Sequence, residues 1–244
     1  MIRYGLIGKP LTHSFSQRYF TEKFEREGLR DHRYDRFELD STDELRALVR
    51  DTPGLRGLNV TIPFKQAVMP LLDAVDPLAA AVGAVNTIRI DGERLIGYNT
   101  DVEGFRQTLI PLLQGKKPRA LVLGSGGASR AVAFVLKERG IKFRVVSRSR
   151  ERGDMTYDLV EPIVVDVCTL IINTTPLGMH PDTASLPPIP YDAIGPKHVL
   201  IDLVYNPAET AFLREGKLRG AATANGLDML HAQAEASWRV WNGG

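Results

Sequence analysis

The short apolar run Arg119-Ala120-Leu121-Val122-Leu123 breaks at a glycine-rich turn and resumes as a helical pattern, and no other feature restricts the fold as strongly. The turn reads Gly124-Ser125-Gly126-Gly127-Ala128-Ser129, and the helical pattern lasts to about Arg139. Gly140 stands where a helix end favours a left-handed residue, and Phe143-Arg144-Val145-Val146-Ser147 reads as the next strand. Strand, turn, helix and strand within about 30 residues is the length of a right-handed crossover, so a parallel sheet is predicted. Gly124 permits the tight turn, and Gly126 lets the backbone approach a pyrophosphate. The helix N-terminus offers unpaired N–H groups and the positive end of its dipole. Ser129 replaces the third glycine of the strict fingerprint, so the loop by itself also suits another kind of α/β protein.

The end of the second strand refines the cofactor expectation. An NAD-selective site places Asp or Glu there to accept hydrogen bonds from the ribose 2′-OH. This chain reads Ser147-Arg148-Ser149-Arg150, with Arg152 beyond. A guanidinium attracts a 2′-phosphate, and neighbouring hydroxyls can donate to it. Arg150 and Arg152 read equally well as a solvated charge run, whereas Arg148 directly follows the strand. The expectation is NADP over NAD.

Strand and helix signals alternate along the rest of the 244 residues, which makes the fold class α/β. Strands are predicted at Tyr4 to Ile7, Tyr34 to Leu39, Gly57 to Thr61 and Val85 to Ile90, and the last turns through Asp91-Gly92 into Arg94 to Tyr98. A helix is expected from about Gln17 to Glu27, with Tyr19, Phe20 and Phe24 on one face. Later strands read at Leu170 to Asn173 and His198 to Leu203, while 151–167 is too irregular to assign. Gln114-Gly115-Lys116-Lys117-Pro118 is the most linker-like stretch. A net charge of +2 argues against nucleic acid or an anionic membrane as the main partner. Cys168 is the only cysteine, so an intrachain disulfide and a thiolate metal cluster are both excluded by count. No stretch approaches the roughly 18 apolar residues of a membrane span, and the N-terminus is too short an apolar run for a signal peptide. A soluble cytoplasmic protein is the default expectation.

Four polar clusters fall where turns or strand ends expose them. Ser14 and Ser16, in Gly8-Lys9-Pro10-Leu11-Thr12-His13-Ser14-Phe15-Ser16, suit either helix capping or a carboxylate held at a helix N-terminus. Asn59-Val60-Thr61-Ile62-Pro63-Phe64-Lys65 puts a lysine at the start of a helix, where a cation is electrostatically disfavoured. Gly83-Ala84-Val85-Asn86-Thr87 and Gly97-Tyr98-Asn99-Thr100-Asp101 complete the set, and Asp101 also reads as an N-cap for a helix through Phe105 and Leu109.

Taken in order with the glycine loop, with Ile172-Asn173-Thr174-Thr175-Pro176-Leu177-Gly178-Met179 and with Asp202-Leu203-Val204-Tyr205-Asn206-Pro207, these clusters resemble the shikimate dehydrogenase family. The likeness ends in Asn225-Gly226-Leu227-Asp228-Met229-Leu230-His231-Ala232-Gln233-Ala234 and covers the chain essentially end to end. It implies two domains with the active site in the cleft between them. Residues 1–105 would bind substrate, with a helix at 226–244 packing back on them, and 106–225 would form a Rossmann-like NADP domain. By matching position, Ser14, Ser16, Thr61, Asn86 and Gln233 would bind substrate, and Lys65 and Asp101 would be catalytic. Gly124, Gly126, Gly127, Ala128, Ser147, Arg148, Ser149, Met179 and Gly226 would lie along the cofactor, with Tyr205 nearby. Gln17 stands where the family has proline, Ser147 where it has asparagine, and 151–167 is shorter than usual.

The implied chemistry is reversible reduction of 3-dehydroshikimate to shikimate, a step of aromatic amino-acid biosynthesis, in a monomer or homodimer that needs no metal. The hydroxyl proton must leave as hydride leaves its carbon. A lysine acts as base only where burial favours its neutral form, and a neighbouring carboxylate favours the ammonium. The division of labour between Lys65 and Asp101 therefore stays open. So do two other readings: a quinate/shikimate dehydrogenase with relaxed substrate and cofactor use, and a dinucleotide-binding sensor without chemistry.

Overall fold

The computed structural model describes residues 1–11 and 15–243 and divides into two units, Met1–Thr100 with Ala234–Gly244, and Asp101–Gln233. The sequence reading set these divisions at 105/106 and 225/226.

The first unit is built on a mixed six-stranded sheet. Strand β1 (Ile2–Gly8) lies parallel to β2 (His32–Glu38) and to β3 (Leu55–Val60). The chain reaches these strands through helices α1 (Phe15–Arg26) and α2 (Leu45–Asp51). After the single turn α3 (Phe64–Ala67), β4 (Ala74–Val75) and α4 (Pro77–Val82), β5 (Thr87–Asp91) runs antiparallel to β3 and turns into β6 (Arg94–Tyr98). Alternation along β1 divides the core by face, since successive side chains of a strand point to opposite sides. Tyr4 and Leu6 join Phe20, Phe24, Tyr34 and Trp241, whereas Ile7 joins Leu45, Leu58, Val60, Ile88 and Leu95. Trp241 seats its indole N–H on the Ile88 carbonyl at 3.0 Å. A Cβ on Gly57 would stand 2.2 Å from that indole, so glycine is what makes room for it.

The second unit carries a six-stranded sheet in which every neighbouring pair is parallel. Helix α5 (Asp101–Leu113) opens it, and β7 (Ala120–Leu123), α6 (Gly127–Glu138) and β8 (Phe143–Ser147) follow. Next come β9 (Met155–Thr156), α7 (Pro162–Val167), β10 (Leu170–Asn173), β11 (Val199–Asp202), α8 (Ala211–Leu218) and β12 (Ala222–Ala224). The spatial order β9-β8-β7-β10-β11-β12 is the doubly wound order 3-2-1-4-5-6, with its reversal between β7 and β10. Leu121, Val122, Leu123, Leu170, Ile171 and Ile172 are fully buried, as expected of strands covered on both faces. Helix α9 (Leu227–Trp241) contains the second division.

Two local expectations need correction. Asp101 is the first residue of α5 and not the residue that precedes it. The strand predicted from His198 begins at Val199, and the His198 ring meets the Gly195 and Val165 backbones. The unassigned stretch 151–167 holds the short β9 and α7. Among the described residues no helix is long and apolar enough to cross a membrane, and no cluster of His, Cys, Asp or Glu could hold a metal ion.

Candidate functional site

In the first unit one edge of the sheet gathers the predicted substrate residues. Strands β1 and β3 end there, β5 begins there and β6 ends there. The backbone stitches these ends together: Thr61 N–H donates to the Ile7 carbonyl (2.9 Å), Val60 N–H to that of Asn86 (2.8 Å) and Asn86 N–H to that of Tyr98 (3.1 Å). Val85 N–H donates to the Lys65 carbonyl at 2.7 Å, which fixes the single turn α3 beside Asn86. Thr61, Lys65 and Asn86, far apart in sequence, thus share this edge. Lys65 and Thr61 are half-buried, Asn86 is buried, and Ile62 between them is 60% exposed.

Beneath the edge runs a buried polar network. The Asn86 amide closes on Thr100 from both sides, with Oδ1 accepting the Thr100 N–H (2.7 Å) and Nδ2 donating to its Oγ1 (2.9 Å). Ser237 Oγ on α9 meets Thr87 Oγ1 at 2.8 Å and Thr100 Oγ1 at 3.1 Å, and accepts Asn59 Nδ2 at 2.9 Å. Tyr34 OH donates to Asn59 Oδ1 (2.8 Å), and Ser16 hydrogen-bonds the Tyr34 hydroxyl. Burial pushes the Tyr34 phenol far up, so it stays a neutral donor. Partnered buried polar groups of this kind hold each other's rotamers. Ser16 lies within the first turn of α1, and Ser14 lies outside the described residues. Asp101, 5% exposed, directly follows the anchored Thr100 and begins the second unit.

The second unit presents its own set of groups at the carboxyl ends of β7, β8, β10 and β11. Gly124 has φ +107° and would bring a Cβ to 2.7 Å from Thr174 Oγ1, so only glycine fits. Gly126 precedes α6 in extended conformation, with nothing within 4 Å of the place its Cβ would occupy. Gly127 and Ala128 form the first turn of α6, and Ser129 Oγ donates to the Gly126 carbonyl at 2.6 Å. Ser125 and Ser147 hydroxyls meet at 3.0 Å, which ties the glycine loop to the end of β8. Arg148 is exposed and makes no ion pair among the described residues. Burial pushes the Tyr157 phenol up, and the Arg148 guanidinium draws it partly back. Ser149 caps the next helical turn, accepting the Glu151 N–H.

Past β10 and β11 a buried carboxylate organises the loops. Asp202 Oδ1 accepts Asn173 Nδ2 and the Val204 N–H, both at 3.0 Å, and Oδ2 accepts the Thr210 hydroxyl at 2.6 Å. Burial outweighs these three bonds and pushes its carboxyl up to about 6. The same loops carry half-buried Tyr205 and, after Gly178, the 44% exposed Met179. Gly226 packs its backbone on the Leu203 carbonyl, which a Cβ would approach to 2.2 Å. Gln233 on α9 is 9% exposed and donates to the Leu230 carbonyl.

The sequence reading did not single out Tyr34, Asn59, Thr87, Thr100, Ser237 or Asp202 as organising groups. Asn59, Thr87, Thr100 and Asp202 stood inside the quoted motifs as polar residues at strand ends. Ser237 carried no signal beyond a hydroxyl on an amphipathic helix.

A family model described as the shikimate dehydrogenase substrate binding domain matches residues 6–88. The shikimate dehydrogenase (NADP(+)) of Symbiobacterium thermophilum is 40% identical over 98% of this chain and 88% of its own length. Among solved structures, the Thermus thermophilus shikimate 5-dehydrogenase in complex with NADP(H) and shikimate superposes with a TM-score of 0.87 at 34% identity, covering 100% of this chain and 94% of that one. A Corynebacterium glutamicum quinate dehydrogenase in complex with NAD gives 0.87 at 29% identity, again over 100% and 94%.

Proposed function

This chain belongs to the shikimate dehydrogenase family, and from that premise we propose that it catalyses the reversible, NADP-dependent reduction of 3-dehydroshikimate to shikimate in aromatic amino-acid biosynthesis. The observation that carries the reading is the sheet edge on which Thr61, Lys65 and Asn86 are locked by backbone and side-chain bonds, with Asp101 anchored through Thr100.

The cofactor loop passes a steric test. A pyrophosphate needs close backbone approach at a helix N-terminus, and the open space over Gly126 at the start of the 12-residue α6 provides it. Gly124, Gly126, Gly127 and Ala128 would hold the pyrophosphate. Arg148, flanked by Ser147 and Ser149, would hold the 2′-phosphate, and Met179 and Gly226 would also lie along the cofactor, with Tyr205 nearby. Bound nicotinamide supplies the acceptor and donor of hydride. Residues 106–225 and 1–105 take the cofactor and substrate roles respectively.

Ser14 and Ser16 would take the substrate carboxylate, and Thr61, Asn86 and Gln233 the ring hydroxyls. Lys65 and Asp101 handle the proton of the reacting hydroxyl. In one division of labour Lys65 receives it as base. In the other Lys65 stabilises the alkoxide as an ammonium while Asp101 orients the hydroxyl and passes the proton on. A site built from partnered hydroxyl groups rejects analogues that leave those groups unpaired.

The quinate dehydrogenase with NAD matches the backbone as well as the shikimate complex does, so side chains must decide between the substrates. Initial rates with shikimate and with quinate, each with NADP and NAD, form the test. The proposal expects shikimate with NADP to dominate by kcat/KM. Preference for quinate or NAD would replace it with the relaxed enzyme, and absence of reduced-nicotinamide absorbance in all four mixtures would leave only a sensor.

A further inference from the structure

The amino-terminal ends of the second unit's parallel strands hold a feature that hydride transfer does not use. A cleft of about 630 Å³ opens there, lined by Arg119 at the start of β7, Lys142 and Arg144 around the start of β8, Lys137 at the end of α6, and Phe143 and Cys168. The glycine loop lies at the other end of the same strands, about 13 Å away at the rise of a β-strand. No aspartate or glutamate lines the cleft. Arg119, Lys137, Lys142 and Arg144 form no ion pair and no side-chain hydrogen bond among the described residues, whereas Arg46, Arg106 and Arg219 are each salt-bridged. Lys117 adds a further ammonium at the rim, 3.5 Å from where a Gly140 Cβ would stand.

The plain explanation is compensation of the α6 dipole, whose C-terminus points here. A helix end carries about half a negative charge, which one lysine more than offsets. The end is also already closed: Gly140 at φ +65° lets its own N–H reach the Lys137 carbonyl (3.0 Å) and the Ile141 N–H reach that of Leu136 (2.9 Å). The remaining cations therefore repel one another around a concavity with no counter-charge. The whole chain has a net charge of only +2, so this is a local concentration. The cations converge on a pocket and do not extend along a face, which suits a compact anion better than a nucleic-acid backbone. Phe143 and buried Ile141 give the pocket an apolar wall against which a carbon skeleton can rest.

We propose that this cleft is a second ligand site, which binds a small metabolite carrying two or more phosphate or carboxylate groups. The ligand's anionic groups sit among Arg119, Lys137, Lys142 and Arg144, and its bound form covers Cys168. The sole cysteine is then a built-in reporter. It is 8% exposed, burial raises its thiol, and Arg119 and Arg144 partly oppose that rise.

The test follows the reaction of Cys168 with the uncharged reagent N-ethylmaleimide in the full chain, with inorganic pyrophosphate as the probe. At ten times its dissociation constant pyrophosphate slows labelling about ten-fold by mass action. Sodium chloride at matched ionic strength does not. The pair Arg119→Ala/Arg144→Ala loses the protection. So does Lys137→Ala/Lys142→Ala, which removes only exposed lysines and guards against misfolding of the first pair. Arg148→Ala, at the other end of the strands, keeps it. Slowing by chloride equal to that by pyrophosphate would reduce the site to general screening and overturn the proposal. Protection that survives both double variants would place the anion elsewhere. Protection by a DNA duplex with none by pyrophosphate would make the surface a nucleic-acid contact instead.

Discussion

Replacing Asp202 by asparagine isolates the energetic role of the buried carboxylate. The side chain is fully buried and its carboxyl is pushed from the ordinary 3.8 up to about 6 by burial, against the bonds from Thr210, Val204 and Asn173. Between those two values the folded chain holds a proton that the unfolded chain has released. Asp202 therefore contributes fully below pH 3.8, and its contribution is lost as pH rises through about 6. A displacement of about two units amounts to ~3 kcal/mol. Asparagine keeps Oδ1 for Asn173 and Val204, but its amide must donate to Thr210 Oγ1, so the Thr210 proton loses its acceptor. One such loss costs about 1 kcal/mol. Removal of the ionisation penalty, already about 1 kcal/mol at pH 4.5, offsets that loss there and exceeds it at higher pH, so the variant should match the wild type near pH 4.5 and exceed it by ~2 kcal/mol at pH 7.5. The assay must read the second unit. Trp238 and Trp241 both belong to the first, so tryptophan fluorescence would follow the wrong core. Pulse labelling of Cys168 across a urea series at each pH reads the right one. Parallel wild-type and variant stability profiles from pH 4.5 to 7.5 would refute the reasoning.

Other substitutions test the proposed chemistry. Lys65→Met should lower kcat by about 10²–10⁴ with little change in KM for shikimate, because proton transfer is lost and binding is not; near-normal turnover would remove Lys65 from the dyad. Arg148→Ala should raise KM for NADP about 10–100-fold, the worth of a charged hydrogen bond, and leave KM for NAD unchanged; equal loss with both cofactors would move the 2′-phosphate elsewhere. Gly226→Ala and Gly126→Ala form a contrasting pair. The first meets the Leu203 carbonyl at 2.2 Å and should cost on the order of 3 kcal/mol in thermal unfolding, while the second meets nothing within 4 Å and should raise only KM for NADP.

Local chemistry made much of this legible. Gly124 to Gly127 and Gly140 bracket α6, and the apolar runs on either side became β7 and β8 within a residue of their expected limits. The polar strand ends at Thr61, Asn86 and Asp101 were visible because hydroxyls, amides and carboxylates interrupted apolar runs. Helix α4, six residues long, has too few turns for its periodicity to register and was not anticipated, although Asp76-Pro77 and Gly83 cap it. What stayed hidden depends on separation in sequence. Ser237 meets Thr87 from 150 residues away and Asn59 from 178, and no local pattern anticipates such partners. The burial of Asp202 is hidden in the same way, since Asn173, 29 residues earlier, supplies one of its partners.

The two units treat polarity alike. Each has a sheet whose core-facing side chains are apolar and whose strands end in polar residues on one side, and each supports those ends with a polar group that solvent scarcely reaches. In the first unit Ser237 and Asn59 hold Asn86 and Thr100; in the second Asp202 holds the loops after β10 and β11. Apolar residues of similar volume would stabilise such positions at least as well. Aliphatic packing, however, leaves an amide or a hydroxyl at the surface free to rotate, whereas a chain of directional bonds fixes it to within about half an ångström, the tolerance of a working site. The buried carboxylate costs stability at neutral pH, and what it secures is the course of the loop that carries Tyr205. The Asn86 amide likewise has both ends committed to Thr100, so its orientation is set before any ligand arrives. That commitment also sets where α5 begins, and with it the backbone of Asp101.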